Sequence, residues 1–336
     1  WEFYVHYGAV DMLEEAYEPM KEYVRYMQTW VDDEGIMNSQ RVGLDGNVLK
    51  WFNLGEWVTP GELPADSLVH TFYFWRCADI TAKAAEALGK RKEAKKYAKL
   101  ADDTKKAFHQ RFYDVEKGTY GNSGANIFAL KMGVPAAEYQ RVIKTLKENI
   151  KKNKGHLDTG IFGTQFFFEV LTENGMHDLA YEAMNKKEEP GYGRWLTLGA
   201  TTSWEHWDTG GSHNHPMFGG GLVWLYRQLA GMQADEKVPG YRHIIFHPQP
   251  VYEMEFAKYY NKTPYGMAGI KWEQKEGKLN VDITIPVGCT ATVILPGEDF
   301  LADGKKLVEN ADVKVISQAQ NELVLEVGSG TYNFSN

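Results

Sequence analysis

The densest group of side chains that could do chemistry lies between residues 199 and 216. It reads Gly-Ala-Thr-Thr-Ser-Trp-Glu-His-Trp-Asp from 199 to 208, followed by Ser-His-Asn-His-Pro from 212 to 216. Glu205 stands between Trp204 and Trp207. Sugar sites combine flat aromatic faces with carboxylates and imidazoles, and indole walls can raise the pKa of a carboxyl group toward the range that general acids and bases need. The same composition also fits two core tryptophans and a Glu205 that caps the following helix.

A second loop repeats the pairing of an acid with a tryptophan. Residues 51–60 read Trp-Phe-Asn-Leu-Gly-Glu-Trp-Val-Thr-Pro, so Glu56 adjoins Trp57 beside a glycine. A surface loop held in place by a single aromatic residue would have the same sequence pattern. Two loops that pair an acid with a tryptophan in one domain are less expected by chance than one. The segment 157–164 is expected to be structural, with Asp158 or Thr159 as the N-cap of a helix.

No cofactor or metal is expected from the sequence. His213 and His215 lie near Glu205, but a His-x-His pair points both rings to one side only on a strand, and this segment is predicted to be a loop. His-Glu-x-x-His and Cys-x-x-Cys patterns are missing. So are the Gly-x-Ser-x-Gly nucleophile motif and the Gly-x-Gly-x-x-Gly phosphate loop.

Composition excludes several classes of protein. The 336 residues carry a net charge of −8 without a basic stripe, which argues against nucleic acid as a partner. The longest apolar run, at residues 72–75, is too short to cross a membrane. Cys77 and Cys289 lie in different predicted domains, so no disulfide framework is expected. The sequence leaves the compartment open between periplasm and cytoplasm.

The elements that position these loops are helices in the first two-thirds of the chain and strands in the rest. The segment 66–88 is apolar on nearly all sides and ends at Gly89, whereas the next helix, to residue 112, is apolar on one side only. Further helices are predicted at 13–31, 135–151, 159–171, 177–185 and 216–230. Buried helices that alternate with amphipathic ones predict two concentric rings of helices.

After Pro239 the apolar residues alternate with polar ones, as at Leu279, Val281, Ile283 and Ile285. Turn residues recur every eight to twelve positions, which is typical of an antiparallel β-sandwich. We therefore predict a helical domain over residues 1–235 and a β-sandwich over 236–336.

These motifs together resemble those of the bacterial α-L-rhamnosidases of glycoside hydrolase family 78. The resemblance rests on residues 199–205, Asn214-His215, Trp224-Leu-Tyr-Arg, Pro239-Gly-Tyr and Pro248-Gln-Pro. Glu56 stands where the family's Gly-Asp-Trp loop has Asp. The Trp1 segment resembles a helix start that continues Tyr-Gly-Asp, with Ala9 in place of Asp.

The resemblance implies an (α/α)6 toroid followed by a C-terminal antiparallel β-sandwich, and release of terminal α-L-rhamnose from glycosides with inversion. It implies that Glu205 is the general base. It further implies that Trp57, His215 and Trp1 line the sugar pocket, with Trp204 and Trp207 as walls. The acid-rich stretch that holds the family's general acid would precede Trp1, as would the opening helices of the toroid, so the sequence is interpreted as the C-terminal portion of a longer polypeptide.

Two alternatives remain open. One is a carbohydrate-binding fragment without catalysis, in which Trp57, Trp204 and His215 hold a sugar and no acid faces Glu205. The other is a different (α/α)6 glycosidase. A carboxyl group across the pocket from Glu205 would distinguish the hydrolase from the carbohydrate-binding fragment, and Glu56 is the local candidate.

Overall fold

The computed structural model describes residues 1–50, 54–319 and 321–336. The first three residues of the predicted Trp51–Pro60 loop therefore lie outside the described residues. The described chain divides into two compact units. One comprises Leu13–Asn174 and Leu179–Gly221, and the other comprises Trp1–Met12, Gly175–Asp178 and Leu222–Asn336. The predicted domain boundary near residue 235 stays a prediction.

Helices make up the chain as far as residue 229, apart from the short hairpin of β1 and β2 and the connecting loops. The helices are α1 (Glu2–Tyr7), α2 (Val10–Gln28), α3 (Asp66–Ala87), α4 (Arg91–Phe112), α5 (Ser123–Met132), α6 (Ala136–Lys152), α7 (Thr164–Glu173), α8 (His177–Asn185), α9 (Tyr192–Thr197) and α10 (Gly219–Trp224), and a π-helical turn follows at Leu225–Leu229. The hairpin pairs β1 (Gln40–Val42) with β2 (Val48–Lys50). In the described part of the chain, no helix combines the length and hydropathy that a membrane span requires.

The helix α3 confirms the prediction of a buried helix that ends at Gly89. Its buried residues include Leu68, Phe72 and Phe74 and continue around the helix, whereas α4 buries one face only. Gly89 has a φ of +70°. Its N–H donates to the carbonyl of Glu86 at 3.0 Å, and the N–H of Lys90 donates to that of Ala85 at 2.8 Å. This pair of bonds is a Schellman motif, which glycine permits because it adopts the left-handed conformation without strain.

The remaining strands form two sheets. The strands are β3 (Met232–Ala234), β4 (His243–Phe246), β5 (Phe256–Thr263), β6 (Gly266–Lys275), β7 (Lys278–Ile285), β8 (Thr290–Pro296), β9 (Leu301–Ala302), β10 (Lys305–Lys306), β11 (Val313–Ala319), β12 (Glu322–Val327) and β13 (Gly330–Ser335). One sheet has the order β10-β9-β13-β7-β6-β5 and the other has the order β11-β12-β8-β4-β3. The described pairings are antiparallel except that β4 runs parallel to β8. The helices end at Leu229 and the strands of these sheets begin at Met232, a few residues before the change predicted after Pro239.

The helix α1 packs in the same unit as the sheets. The guanidinium of Arg227, in the π-helical turn, donates to the Glu2 carboxylate at 2.7 Å. The N–H of Gly240 donates to the carbonyl of Val5 at 2.8 Å. Gly8 and Gly240 approach so closely that a Cβ added at Gly240 would lie 3.3 Å from the nitrogen of Gly8. The first helix is thus fastened to residues more than 220 positions away in the sequence.

Candidate active site

Backbone hydrogen bonds within the loop that carries Glu205 hold the two ends of this loop together. The N–H of Glu205 donates to the carbonyl of Ser212 at 2.9 Å, and the N–H of His215 donates to that of Ser203 at 2.8 Å. The chain turns at Gly211, where φ is +68°. The N–H of Ser212 also donates to Oε2 of Glu205 at 3.0 Å. The carboxylate is therefore held by a backbone donor of the same loop, and 28% of the side chain remains exposed.

Gly211 leaves space that the Glu205 side chain uses. A Cβ at position 211 would lie 2.8 Å from Oε2 of Glu205 and 2.6 Å from the ring of His206. Nε2 of that histidine lies 3.9 Å from Oε1 of Glu205. Any side chain at position 211 would therefore displace the carboxylate, the imidazole or both.

Buried aromatic rings support this loop. The indole of Trp207 stacks on Trp195, with ring centroids 4.5 Å apart and planes 19° apart. Nε1 of Trp195 donates to the carbonyl of His206 at 3.1 Å. Trp204 stacks on the ring of His213 at 3.9 Å with nearly parallel planes. Trp204 and Trp207 are both buried, as core tryptophans would be. Their predicted contact with a sugar stays a prediction.

His215 has a defined hydrogen-bonding role. Its Nδ1 accepts the N–H of Met217 at 3.2 Å. Because an accepting nitrogen carries no proton, the neutral ring has its proton on Nε2. His215 is half-buried, and its Nε2–H can donate to a hydroxyl group of a ligand.

The second predicted loop holds a deeply buried carboxyl group. The side chain of Glu56 is 2% exposed. Its Oε1 accepts the N–H of Phe162 at 2.8 Å and that of Trp57 at 3.2 Å, while Oε2 has no hydrogen-bond partner. Burial raises the pKa of Glu56 from 4.5 to about 7, and the nearby backbone N–H groups of Phe162, Trp57, Gly163 and Gly160 offset only part of that rise. A group so enclosed has little access to a ligand.

Glycines allow the loop of Glu56 to approach the segment 157–164. A Cβ at Gly160 would lie 2.1 Å from the carbonyl oxygen of Trp57, and one at Gly163 would lie 2.7 Å from Oε2 of Glu56. The N–H of Ile161 donates to the carbonyl of Trp57 at 2.9 Å. The segment is structural, as predicted. The expected N-cap at Asp158 or Thr159 is wrong, because α7 starts at Thr164 with Gly163 as its N-cap.

The structure divides the predicted site residues among three places. One loop carries Trp204, Glu205, Trp207 and His215, and a second loop of the same unit carries Glu56 and Trp57. Trp57 is 40% exposed, so its indole has a face open to a ligand. Trp1 belongs to the other unit, where its ring lies 5.4 Å from that of Tyr4.

Sequence reasoning missed the residues that support the site. Trp195 lies beneath the Glu205 loop, His213 covers Trp204, and Gly211 and Ser212 shape the surroundings of the carboxylate. The signal was the aromatic, glycine-rich composition of the loop from residue 188 to 214, which is typical of functional loops but assigns no role to single residues.

The site can support proton transfer by Glu205 beside hydrogen-bond donors. Within the described residues, no three His, Cys, Asp or Glu side chains form a group that could hold a metal ion. The half-buried carboxylate of Glu205 and the imidazole of His215, with its proton on Nε2, are groups that bind and activate a polar ligand. The exposed indole of Trp57, on the second loop, offers a face for an apolar surface.

Sequence comparisons connect this site with known proteins. Residues 1–229 match the family described as bacterial alpha-L-rhamnosidase 6 hairpin glycosidase domain, and residues 231–307 match the bacterial alpha-L-rhamnosidase C-terminal domain. An alpha-L-rhamnosidase of Formosa agariphila is 29% identical over 99% of the chain, and one of Streptomyces avermitilis is 28% identical over all of it. The chain spans 37% and 32% of the lengths of these two relatives.

Solved structures agree over the whole chain. The alpha-L-rhamnosidase from Dictyoglumus thermophilum is 32% identical with a TM-score of 0.87, and this chain covers 38% of it. The Streptomyces avermitilis enzyme, solved in complex with L-rhamnose, is 27% identical with a TM-score of 0.87, and 32% of that chain is covered. The predicted fold class, a helical toroid followed by an antiparallel β-sandwich, is confirmed.

Proposed function

Because the chain belongs to the bacterial alpha-L-rhamnosidase family, we propose that it carries the catalytic base of a glycosidase that releases terminal α-L-rhamnose from glycosides. The observation that carries this proposal is the Glu205 carboxylate. It is half-buried, held by the N–H of Ser212, and stands beside a glycine that leaves room for it. The similarity to an enzyme solved with L-rhamnose supports rhamnose as the sugar.

The proposed reaction is hydrolysis with inversion. The ionised Glu205 takes a proton from a water molecule while the water oxygen forms a bond to the anomeric carbon of rhamnose. The bond from that carbon to the glycosidic oxygen breaks, and a carboxylic acid about 6.5–9.5 Å from Glu205 protonates the leaving oxygen. The products are free rhamnose and the alcohol from which it was released.

Two further side chains are proposed to hold the sugar. His215 donates from Nε2 to a sugar hydroxyl, since its Nδ1 is occupied by the N–H of Met217. The exposed indole of Trp57 stacks on the apolar face of the ring. Contacts of the buried Trp204 and Trp207 with the sugar belong to the same proposal. For Trp1 the proposal rests on the family resemblance alone.

Glu56 is not proposed as the general acid. Its carboxyl group is enclosed by backbone N–H donors and is 2% exposed, so it has no path to a leaving oxygen. We propose that Glu56 positions the Trp57 loop, and that the general acid lies upstream of Trp1 in the full-length polypeptide, as the family resemblance implies.

Replacement of Glu205 by Gln in the full-length enzyme tests the proposed base. The amide keeps the shape but cannot accept the proton, so kcat on an aryl α-L-rhamnoside should fall by at least about a hundredfold. The dissociation constant for L-rhamnose, measured by calorimetry, should change little. Asp208→Asn is the matched control, since Asp208 is an exposed carboxylate of the same loop that accepts the N–H of Gly210. Near-normal turnover in Glu205→Gln would remove Glu205 from the mechanism.

Binding without turnover would point to the alternative function. If the full-length protein binds L-rhamnose but releases none from aryl or natural glycosides, the domain is a carbohydrate-binding module. The burial of Glu56 supports the carbohydrate-binding alternative in one respect, because it removes the local candidate for the general acid.

A further inference from the structure

The outer face of the six-stranded sheet carries an aromatic ring that lies flat on the backbone. Tyr260 is on the edge strand β5, directly opposite Gly269 of β6. A Cβ at Gly269 would lie 2.1 Å from Cδ1 and 2.5 Å from Cε1 of the Tyr260 ring. The ring therefore occupies the space above the glycine, with one face against the neighbouring strand. Because 51% of the residue is exposed, its other face is open to solvent.

Polar side chains flank this ring on one side, whereas the row on its other side pairs Lys262 with the exposed Met267. The row of residues that contains Tyr260 continues through Gly269 to Thr284 of β7. The adjacent row, about 7 Å along the strands, runs from Lys258 through Lys271 and Asp282 to Asn333. The side-chain amide of Asn333 donates to Oδ1 of Asp282 at 2.7 Å. The open ring thus stands beside a row of donors and acceptors.

A second aromatic ring lies on the same face of β5. Phe256 is exposed and lies two pleats from Tyr260, which corresponds to about 13 Å along the strand. Between the two rings stands the exposed Lys258. Aromatic rings at this separation could contact two sugar units of one extended chain.

The composition of this face favours a glycan over a protein partner. The centres of protein interfaces are depleted in charged residues, whereas Lys258, Lys271 and Asp282 lie within two residues of the row of Tyr260. Lysines on an edge strand also oppose pairing with another sheet. A pyranose ring needs the opposite combination, a flat apolar surface with charged and amide groups for its hydroxyl rim.

We propose that this face, centred on Tyr260, is a second carbohydrate-binding surface that holds a glycan chain by stacking of a sugar ring on Tyr260. Lys271 and Asp282 bind the hydroxyls of the stacked sugar. The surface belongs to the sheet unit, goes beyond the proposed hydrolytic site, and involves none of its residues.

The test measures binding of a soluble rhamnose-containing polysaccharide, with dextran as a rhamnose-free comparison. The protein is the full-length chain with Glu205→Gln, so that binding does not depend on turnover, and saturating free L-rhamnose is present throughout, so that the proposed catalytic pocket is filled and does not contribute to polysaccharide binding. Loss of the aromatic face in Tyr260→Ala should weaken binding about tenfold, and Tyr260→Phe should retain it. Tyr252→Ala is the matched control, because Tyr252 lies in the same unit, is 93% exposed and belongs to no strand.

A second variant tests the geometry rather than the ring. Gly269→Ala adds the methyl group that displaces Tyr260 from the sheet, so it should also weaken binding while the melting temperature stays near that of the parent protein. Binding of either polysaccharide that is lost in Tyr260→Ala and kept in Tyr252→Ala supports the proposal.

Two results would overturn it. One is polysaccharide binding unchanged by Tyr260→Ala or absent from the parent protein. The other is self-association of the parent protein that Tyr260→Ala abolishes without any change in polysaccharide binding, which would assign the face to a second copy of the chain. Neither result depends on the hydrolytic activity, so failure here is distinguishable from failure of the proposed function.

Discussion

The buried Glu56 predicts an unusual dependence of stability on pH. The folded protein holds the proton of Glu56 up to about pH 7, whereas the unfolded chain releases it near pH 4.5. Between these values the folded state binds more protons than the unfolded state, so the free energy of unfolding falls as the pH rises. Since one pKa unit corresponds to about 1.4 kcal/mol, the total loss is about 3 kcal/mol.

Glu56→Gln removes this dependence. The amide oxygen can still accept the N–H of Phe162 and Trp57, but the side chain has no proton to lose. The difference in free energy of unfolding between Glu56→Gln and the wild type should therefore shift by about 2.5 kcal/mol in favour of the variant between pH 5 and pH 8.

The assay is denaturant unfolding of the full-length protein at pH values from 5 to 8, followed by tryptophan fluorescence. Glu62→Gln is the control, because Glu62 is exposed in the same loop and its replacement should leave the pH dependence as in the wild type. A difference between Glu56→Gln and the wild type that stays constant from pH 5 to pH 8 would refute the reasoning. It would mean that the buried carboxyl ionises as it does in water.

Three further predictions concern the loops of the candidate site. Gly211→Ala should lower kcat/KM on an aryl α-L-rhamnoside by about tenfold or more, because the new Cβ displaces Glu205. Gly199→Ala is the control: this glycine also has a positive φ but has open space around it, so the variant should keep most of the activity. Equal losses of activity in the two variants would contradict this prediction. Trp207→Ala should lower the free energy of unfolding by about 3–5 kcal/mol in urea titrations, and a loss below about 1 kcal/mol would mean that the ring is not core. Trp57→Ala should weaken L-rhamnose binding in calorimetry with a nearly unchanged melting temperature, and unchanged affinity would place the pocket elsewhere.

Elements with a strong local pattern could be predicted from the sequence. The helix α3 is long and apolar and ends at a glycine, and β7 alternates over its whole length. Each signal is contained in neighbouring residues, because a helix cap or a pleat depends on local geometry. The motif around Glu205 is equally local, and it identified the loop.

Other elements depend on contacts that the sequence does not show. All residues of α5 except Lys131 are buried, so it has no polar face and no helical period to detect. The helix α7 starts later than predicted because the residues before it bind Glu56, which is 106 positions from Phe162. The strands β4 and β8 are distant in the sequence and pair in parallel. Their alternation of apolar and polar residues is the same for a parallel and an antiparallel partner, so the sequence pattern does not predict the direction of pairing.

The roles of single residues within the site were the least predictable. Trp57 and Trp204 both adjoin an acid in the sequence, yet Trp57 is 40% exposed and Trp204 is buried under His213. Whether a tryptophan is buried depends on which other ring the fold packs against it. That ring can be close or distant in the sequence. Sequence patterns thus identify a loop with functional chemistry more readily than they divide its residues between contact and support.

The contacts that hold α1 against Arg227 and Gly240 affect how such a protein can evolve by recombination. The unit that contains the two sheets is assembled from three stretches of chain, Trp1–Met12, Gly175–Asp178 and Leu222–Asn336. A single crossover near residue 222 would transfer the sheets without the helix whose Glu2 binds Arg227. A protein that received the sheets by such an exchange would therefore need a new carboxylate to bind the guanidinium of Arg227.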